Sequence, residues 1–466
     1  MPRPDPHTVT ALLDRVRSHA AHHLAVLDDR PVRATAEAPE LRSALGGPLP
    51  DGPGDPVAVL DALAGLADRG TTATTSARFF GFVVGGVVPA AMAADMLAPV
   101  WDQNAGLHVA GPIAAVTEEV ARTWLLDLLR LPADASMGFV TGGQSANMTA
   151  LLVARHHVLA AAGWDVERDG LAGGPQITVV AGSERHSTID RAMRLAGLGS
   201  RSRLVDVDAN GAMRPDGLAE ELDDVDGPVI VCAQLGNVNT GALDPVGELA
   251  DIAHRHDAWL HVDGAFGLWA ACLPRLRAAT EGLERADSWA VDAHKWLNVP
   301  YDSGMVATAH PASHLAATGT DPAQSSYLEF GEGTRDALVW TPEFSRRARG
   351  MAIWAALRSL GRQGVVDMVE RGCEMAARFA ELLDAEPGVH VRNAVVLNQV
   401  LVAFDDVPAA DVIAAVQQEG TCWMSGTRWR GEHLLRISVS NWQTDDEDVV
   451  RSVQAIVACY RTLRAT

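Results

Sequence analysis

Of the 38 lysine and arginine residues in the chain, a single one is lysine: Lys295, in ADSWAVDAHKWLNVPYDSG. Arginine stays protonated and forms no stable imine. A lysine amine can lose its proton and condense with an aldehyde. Where arginine serves every other need for positive charge, a retained lysine points to that chemistry. Chance survival of an ordinary surface lysine is the competing explanation. The context weighs against it, because Lys295 follows an apolar run and stands between His294 and Trp296.

Four other segments carry residue types that would serve a bound ring and its phosphate. AWLHVDGAFG ends an apolar run on Asp263. A carboxylate there can pair with a pyridine nitrogen and keep it protonated, making the ring an electron sink. It can equally cap a helix or close a turn. GFVTGGQSANMTALLVARHH runs from a strand pattern through Gly142 and Gly143 into a helix pattern. Free amides and the dipole at a helix start bind phosphate, although many tight strand-to-helix turns bind nothing. The segment has neither the G-K-[ST] ending nor the G-x-G-x-x-G spacing of the common nucleotide motifs. ITVVAGSERHSTIDRAMRLAGLG places His186 past a strand, as a ring to stack on a planar cofactor and handle a proton, or as a loop histidine. AQLGNVNTGALDP offers Asn237, Asn239 and Thr240, as polar contacts or as turn residues.

Each segment is ambiguous alone. Their order is not: glycine turn, histidine, polar loop, aspartate, lysine, each just after a strand pattern. These are the parts that a pyridoxal phosphate enzyme needs. The elements that must position them are short apolar runs at 138–141, 177–182, 203–208, 228–234, 258–263, 288–293 and 304–309, separated by amphipathic stretches such as 147–162 and 245–256. Alternation at this spacing predicts an α/β fold with a mostly parallel sheet, whose ligands gather at the carboxyl ends of the strands. Residues 1–96 read as an N-terminal helical extension whose apolar faces need cover, with a loop at 45–56. Residues 97–345 read as the large domain. Residues 346–466 read as a small C-terminal α+β domain, with helices at 346–360 and 365–383, strands at 396–404 and 433–439, and a closing helix from about 445.

Composition narrows the class. Carboxylates number 59 and the formal net charge is -21, so nucleic acid and anionic membranes would repel the chain. The five cysteines are scattered without a C-x-x-C, which argues against a disulfide framework or a structural zinc site and fits a reducing compartment. The N-terminus has no signal-like apolar core and no stretch is long and apolar enough to span a bilayer. A cytoplasmic protein without a metal site is the expectation.

The chain resembles the group II pyridoxal-phosphate decarboxylases, which include the aromatic amino acid, glutamate and histidine decarboxylases. The resemblance covers nearly its whole length. It is carried by ARFFGFVVGGVVPAAMAADML, GFVTGGQSANMTALLVAR, SERHSTIDRA, HVDGAFG, DSWAVDAHKW, FSRRARGMAIWAALRSLGRQG and LRISVSNWQTDDEDV. It implies a type I aminotransferase-like fold, pyridoxal 5'-phosphate as cofactor, a small-molecule amino acid substrate and a homodimer with shared active sites. By the same resemblance Lys295 forms the Schiff base and Asp263 pairs with the pyridine nitrogen. His186 stacks on one ring face and Ala265 lies on the other. Gly143, Gln144 and Ser145 cradle the phosphate, with Asn237 and His294 nearby. Phe79 and Phe80 line the substrate pocket, with Trp101, His108 and Tyr327 as further candidates. Arg436 either binds a carboxylate or braces the C-terminal unit.

Three departures stand out. Asp292 occupies a position where relatives often have asparagine near the phosphate; a carboxylate there would turn away or pair with an arginine. Asn237-Val238 stands where relatives often have two threonines. Ala337 falls near the expected proton-donating loop tyrosine, and the chain has only Tyr301, Tyr327 and Tyr460. Decarboxylation of an L-amino acid to its amine is the expected reaction. An aldehyde synthase, an aminotransferase, another lyase and a non-catalytic protein of the same fold are the alternatives.

Overall fold

The computed structural model describes residues 5–319 and 333–465. Its large sheet contains β1 (Ser136–Val140), β2 (Thr178–Gly182), β3 (Arg203–Val205), β4 (Val229–Gln234), β5 (Trp259–Asp263), β6 (Ser288–Asp292) and β7 (Gly304–Thr308). Their order is β1-β7-β6-β5-β4-β2-β3, and β7 alone runs antiparallel to its neighbours. All seven apolar runs of the sequence form strands here. The central ones are buried on both faces, because successive side chains point to opposite sides of a strand. In β4, Ile230 and Cys232 join Leu151, Val153 and Val179 on one side. Val231 and Ala233 join Leu260, Val262 and Trp289 on the other.

Helix Gly143–Ala161 packs along β5, β6 and β7. Helices Pro112–Leu128 and Gly350–Asp384 belong to the opposite core, through Leu125, Leu126, Ile353 and Ala356. The latter joins the two helices read at 346–360 and 365–383. Gly361 interrupts it at φ 64 and ψ 179, a conformation open to glycine and strained for other residues.

A second sheet, all antiparallel, has the order β10-β11-β9-β8: β8 (Val389–Val391), β9 (Gln399–Phe404), β10 (Ser425–Trp429) and β11 (Glu432–Ser438). The sequence reading found β9 and β11. It missed β8, which is three residues long, and β10, whose SGTRW is only partly buried and lacks an apolar alternation. The end of helix Gly350–Asp384, helix Ala409–Glu419 and helix Asp446–Arg464 cover this sheet through Phe379, Val412, Val416 and Ile456.

An extended segment before helix Pro89–Trp101 ties the two sheets together. Phe80 N–H donates to the Trp423 carbonyl at 2.7 Å and Ser438 N–H to the Phe80 carbonyl at 3.0 Å. Gly86 N–H donates to Asn298 Oδ1 at 2.5 Å, just past Lys295. A Cβ on Gly85 would lie 1.9 Å from the Lys295 carbonyl oxygen, so this close approach requires glycine. Helices Pro6–Ala25, Ala38–Leu45 and Pro56–Ala64 bury none of their own residues in the chain; Leu13, Val59 and Leu63 are exposed. None of the described helices is long and apolar enough to cross a membrane.

Candidate functional site

Five strand ends converge at one edge of the large sheet. β1 leads into Gly142 and Gly143, β2 into His186, and β4 into Asn237. β5 ends on Asp263, and β6 ends on Asp292, three residues before Lys295. Parallel register sets Gln234 beside Asp263 and Asp263 beside Ala290.

Asp263 is buried, and its carboxylate is held by donors. Oδ1 accepts from Ala265 N–H at 3.2 Å, and Oδ2 accepts from the Asn147 amide at 3.1 Å. Asn147 Oδ1 faces His261 Nε2 at 3.0 Å, and His261 Nδ1 faces Ser288 Oγ at 2.9 Å. Ser288 Oγ in turn accepts from the Trp259 indole N–H at 2.9 Å. Complete burial pushes the His261 pKa down to about 4, so the ring is neutral. The network then fixes its tautomer: Nδ1 accepts from Ser288 and Nε2 donates to Asn147. Every hydrogen bond from the indole onward points toward Asp263. Two donors fix the orientation of the Asp263 carboxyl, as a partner for a pyridine N–H requires. Asn147 was legible in the sequence only as the start of a helix. Its role depends on the turn of that helix over β5.

His186 caps helix Ser187–Leu195, and its Nδ1 accepts from Thr188 N–H at 3.3 Å while facing Thr188 Oγ1 at 2.8 Å. Thr188 Oγ1 also accepts from the Asn147 amide at 3.2 Å, so one amide orients both the aspartate and the histidine. The neutral ring therefore carries its proton on Nε2. Burial lowers the His186 pKa; Asp263 opposes the shift, and Lys295 and Arg436 reinforce it.

Arg436, on β11, is buried and has no carboxylate partner among the described residues. It donates to the Val238 carbonyl at 3.2 Å and to the Phe82 carbonyl at 3.2 Å, and its Nε is buried without a partner. Burial lowers its pKa to about 10, which still leaves it charged at neutral pH. A buried cation without a counterion is costly unless an anion visits it. Phe82 holds φ 61, a strained conformation for a bulky residue, and in that conformation its carbonyl accepts from Arg436 and from Ser438 Oγ.

The glycine turn after β1 needs both of its glycines. A Cβ on Gly142 would lie 2.8 Å from His294 Cε1, and one on Gly143 2.9 Å from Asp292 Oδ2. Opposite, a Cβ on Gly304 would lie 2.5 Å from Gly142 Cα. Gly142, before helix Gly143–Ala161, has no side chain to cap it, so its first amides are open to anions, and Asp292 already takes the first of them. Gln144 reaches the Thr188 carbonyl at 3.5 Å, and Ser145 Oγ pairs with Thr141 Oγ1 at 2.7 Å. Ala265 is half-buried beside the turn, 3.5 Å from where a Gly143 Cβ would be. Asp292 neither turns away nor meets an arginine, as the sequence reading expected. It accepts from Gly143 N–H at 2.5 Å and lies 2.9 Å from Lys295 Nζ and 3.4 Å from His294 Nε2. His294 Nδ1 accepts from Ser303 N–H at 3.1 Å, and its ring stacks on Tyr301 at 4.2 Å.

Other candidate residues lie elsewhere. Phe79 stacks on Trp423 at 5.0 Å and Phe80 packs edge-on against Phe379 at 4.9 Å, both buried in the small unit. Phe82, two residues further, is exposed and meets Trp423 at 5.5 Å; the repeated phenylalanines masked which one faces out. Asn237 spends its side chain on its own loop, donating to the Glu184 carbonyl at 3.1 Å and accepting from the N–H groups of Asn239 and Thr240. This is the turn chemistry that the sequence left open. Trp101 is exposed, and the His108 N–H donates to Asp336 at 2.7 Å. Ala337 is buried in the short helical turn Ala337–Trp340. Tyr327 lies outside the described residues.

The donor set fits a pyridine aldehyde bearing a phosphate: a glycine cradle at an uncapped helix start, a carboxylate with two fixed donors, a neutral ring and one lysine. Comparison with known proteins agrees. The model of the pyridoxal-dependent decarboxylase conserved domain matches residues 50–405. Tyrosine decarboxylase 2 of Arabidopsis thaliana is 28% identical over 92% of this chain and 82% of its own length. The phenylacetaldehyde synthase of the same plant is 26% identical over 92% of this chain and 91% of its own length. The crystal structure of Oryza sativa TDC with PLP and tryptamine superposes with a TM-score of 0.91, covering 100% of both chains at 23% identity.

Proposed function

This chain belongs to the pyridoxal-dependent decarboxylase family, and from that premise we propose that it converts an aromatic L-amino acid to the corresponding amine. The family makes it a carboxy-lyase with pyridoxal phosphate as cofactor. The observation that carries the finer reading is geometric: Asn147 holds Asp263 and, through Thr188, His186, while Lys295 lies at the next strand end and Arg436 is buried with only backbone carbonyls as partners. The aromatic preference rests on the ring formed by Phe82 and Trp423 and on the tyrosine decarboxylase relative.

When bound, pyridoxal phosphate supplies an aldehyde for amines and an electron-withdrawing ring. Lys295 is the residue that would hold it covalently, and Gly143, Gln144 and Ser145 would receive its phosphate at the helix start. Asp263, oriented by Asn147 and Ala265, would hold a proton on the pyridine nitrogen. His186 would cover one ring face and Ala265 the other. Arg436 would meet the substrate carboxylate through its unpartnered Nε, and its bonds to two backbone carbonyls would fix the direction of approach. The proton that completes the amine would come from His186 after it has itself taken up a second proton, since the neutral ring is too weak an acid to give its own.

A homodimer with shared active sites is part of this reading. Its support is the exposed apolar surface of Leu13, Val59, Leu97, Val100 and Trp101. Trp101, exposed on this chain, and His108, whose Nδ1 is buried without a partner, would then serve the partner's pocket. The five free cysteines support a cytoplasmic location. The division at 345 has as its support the two sheets, whose strands span 136–308 and 389–438, while a boundary at 96 falls within helix Pro89–Trp101.

A second reading has its own observation. Ala337 is a buried methyl near the place expected of a proton-donating tyrosine, and a phenylacetaldehyde synthase is among the relatives. That outcome would consume dioxygen and water and release aldehyde, carbon dioxide, ammonia and hydrogen peroxide. Incubating the purified protein with a panel of aromatic, acidic and basic amino acids tests both. Amine and carbon dioxide in equal amounts support the first reading; aldehyde with peroxide overturns it in favour of the second.

A further inference from the structure

We propose that Asp292 is an internal anion that already occupies part of the cofactor's phosphate seat and holds Lys295, so that cofactor loading has to displace it; this rests on the reading of the site as a pyridoxal phosphate site. Two contacts and the burial of the side chain carry the inference. Asp292 Oδ1 accepts from Gly143 N–H at 2.5 Å, an amide of the uncapped helix start. Its other oxygen lies 2.9 Å from Lys295 Nζ, the amine that must reach the aldehyde. The Asp292 side chain is 3% exposed, so water screens it poorly.

The geometry leaves little room for a bystander role. Both glycines of the turn face this carboxylate: a Cβ would lie 3.2 Å from Oδ1 at Gly142 and 2.9 Å from Oδ2 at Gly143. Among the described residues no arginine pairs with it; Lys295 Nζ lies 2.9 Å from Oδ2, and His294, whose pKa burial lowers, lies 3.4 Å from Oδ1. A phosphate arriving at the same helix start meets a like charge in a poorly screened place, and like charges at such range repel strongly. Lys295 is also less available while its ammonium is paired. Asp292 is thus a positioning residue with two effects: it keeps Lys295 directed at the site when the cofactor is absent, and it weakens the hold on phosphate.

The test compares cofactor binding, not turnover. Asp292→Asn keeps the shape and the acceptor for Gly143 N–H but removes the charge. Apoenzyme of the full chain is titrated with pyridoxal phosphate and, separately, with pyridoxal, following tryptophan fluorescence and covalent attachment after borohydride reduction. Pyridoxal phosphate should bind the variant about tenfold more tightly than the wild type, while pyridoxal changes by less than about twofold. Equal or weaker binding of pyridoxal phosphate overturns the proposal. Equal tightening of both probes also overturns it, since the phosphate would then play no part. Should Asp292→Asn fail to fold, Asp292→Ser provides the same comparison. Absence of attachment to Lys295 in the wild type overturns the cofactor reading itself, which separates the two failures.

Discussion

Asn147 donates to Asp263 Oδ2 at 3.1 Å and is itself held by His261 Nε2 at 3.0 Å, so the carboxylate is oriented from beneath by a one-directional chain of donors. A hydrogen bond to a charged group contributes about 1.5–3 kcal/mol. Asn147→Leu should therefore lower kcat by roughly 10–100-fold with a small change in KM. Cofactor bound to the variant should show a shifted absorbance, because the pyridine proton is less well held. An unchanged spectrum with unchanged kcat would remove Asn147 from the site.

Arg436 is a buried cation with no carboxylate partner among the described residues. Arg436→Met fills the space and removes the charge. Its expected signature is a rise in KM of roughly 100-fold, with cofactor attachment to Lys295 preserved. A variant with normal KM and lowered thermal stability would show that Arg436 only braces β11.

The phenylalanines of ARFFGF should separate by stability. Phe79→Ala empties a buried stack on Trp423 and should cost about 3–5 kcal/mol of unfolding free energy, read by urea denaturation. Phe82→Ala should cost less than about 1 kcal/mol but change the ranking of aromatic substrates, since its ring is 58% exposed.

Two buried histidines set an acid limit. Burial lowers the pKa of His261 to about 4 and of His314 to about 3, against 6.5 when unfolded. Folded-state values below the unfolded one mean that the unfolded chain binds more protons in that window. Their contribution is complete above about pH 6.5 and is lost as pH falls toward 4 and 3 respectively. Between pH 7.5 and 5 each should remove about 2 kcal/mol of stability. His314→Gln should flatten that slope; an unchanged slope would show that the ring is charged when folded.

Much of this architecture was written in local pattern. The seven strands of the large sheet are continuous apolar runs, and the chemical residues sit just beyond them because strand ends are where side chains leave the core. Lys295, Asp263 and His186 were legible for that reason. What escaped depended on contacts distant in sequence. Asn147 matters through His261, and Arg436 through the missing carboxylate around it. Phe82 was hidden behind Phe79 and Phe80, because three aromatic residues in one extended stretch share a pattern and only packing against Trp423 and Phe379 sorts them. Asp292 was flagged by its type, but its partner was misjudged: the sequence offered arginines in abundance, and the fold supplied the lone lysine.

The antiparallel strand β7 separates β1 from β6, and its first residue, Gly304, lies against Gly142 so closely that no Cβ fits. Gly304 is thus the gauge that sets the width of the site. With nothing but a hydrogen on its α-carbon, the glycine turn can lean across one strand and meet Asp292. A methyl there would press on Gly142 as a wedge, prising the anion seat away from the lysine. A residue with no side chain, on the one strand that runs the wrong way, decides whether the two halves of the chemistry come within reach of each other.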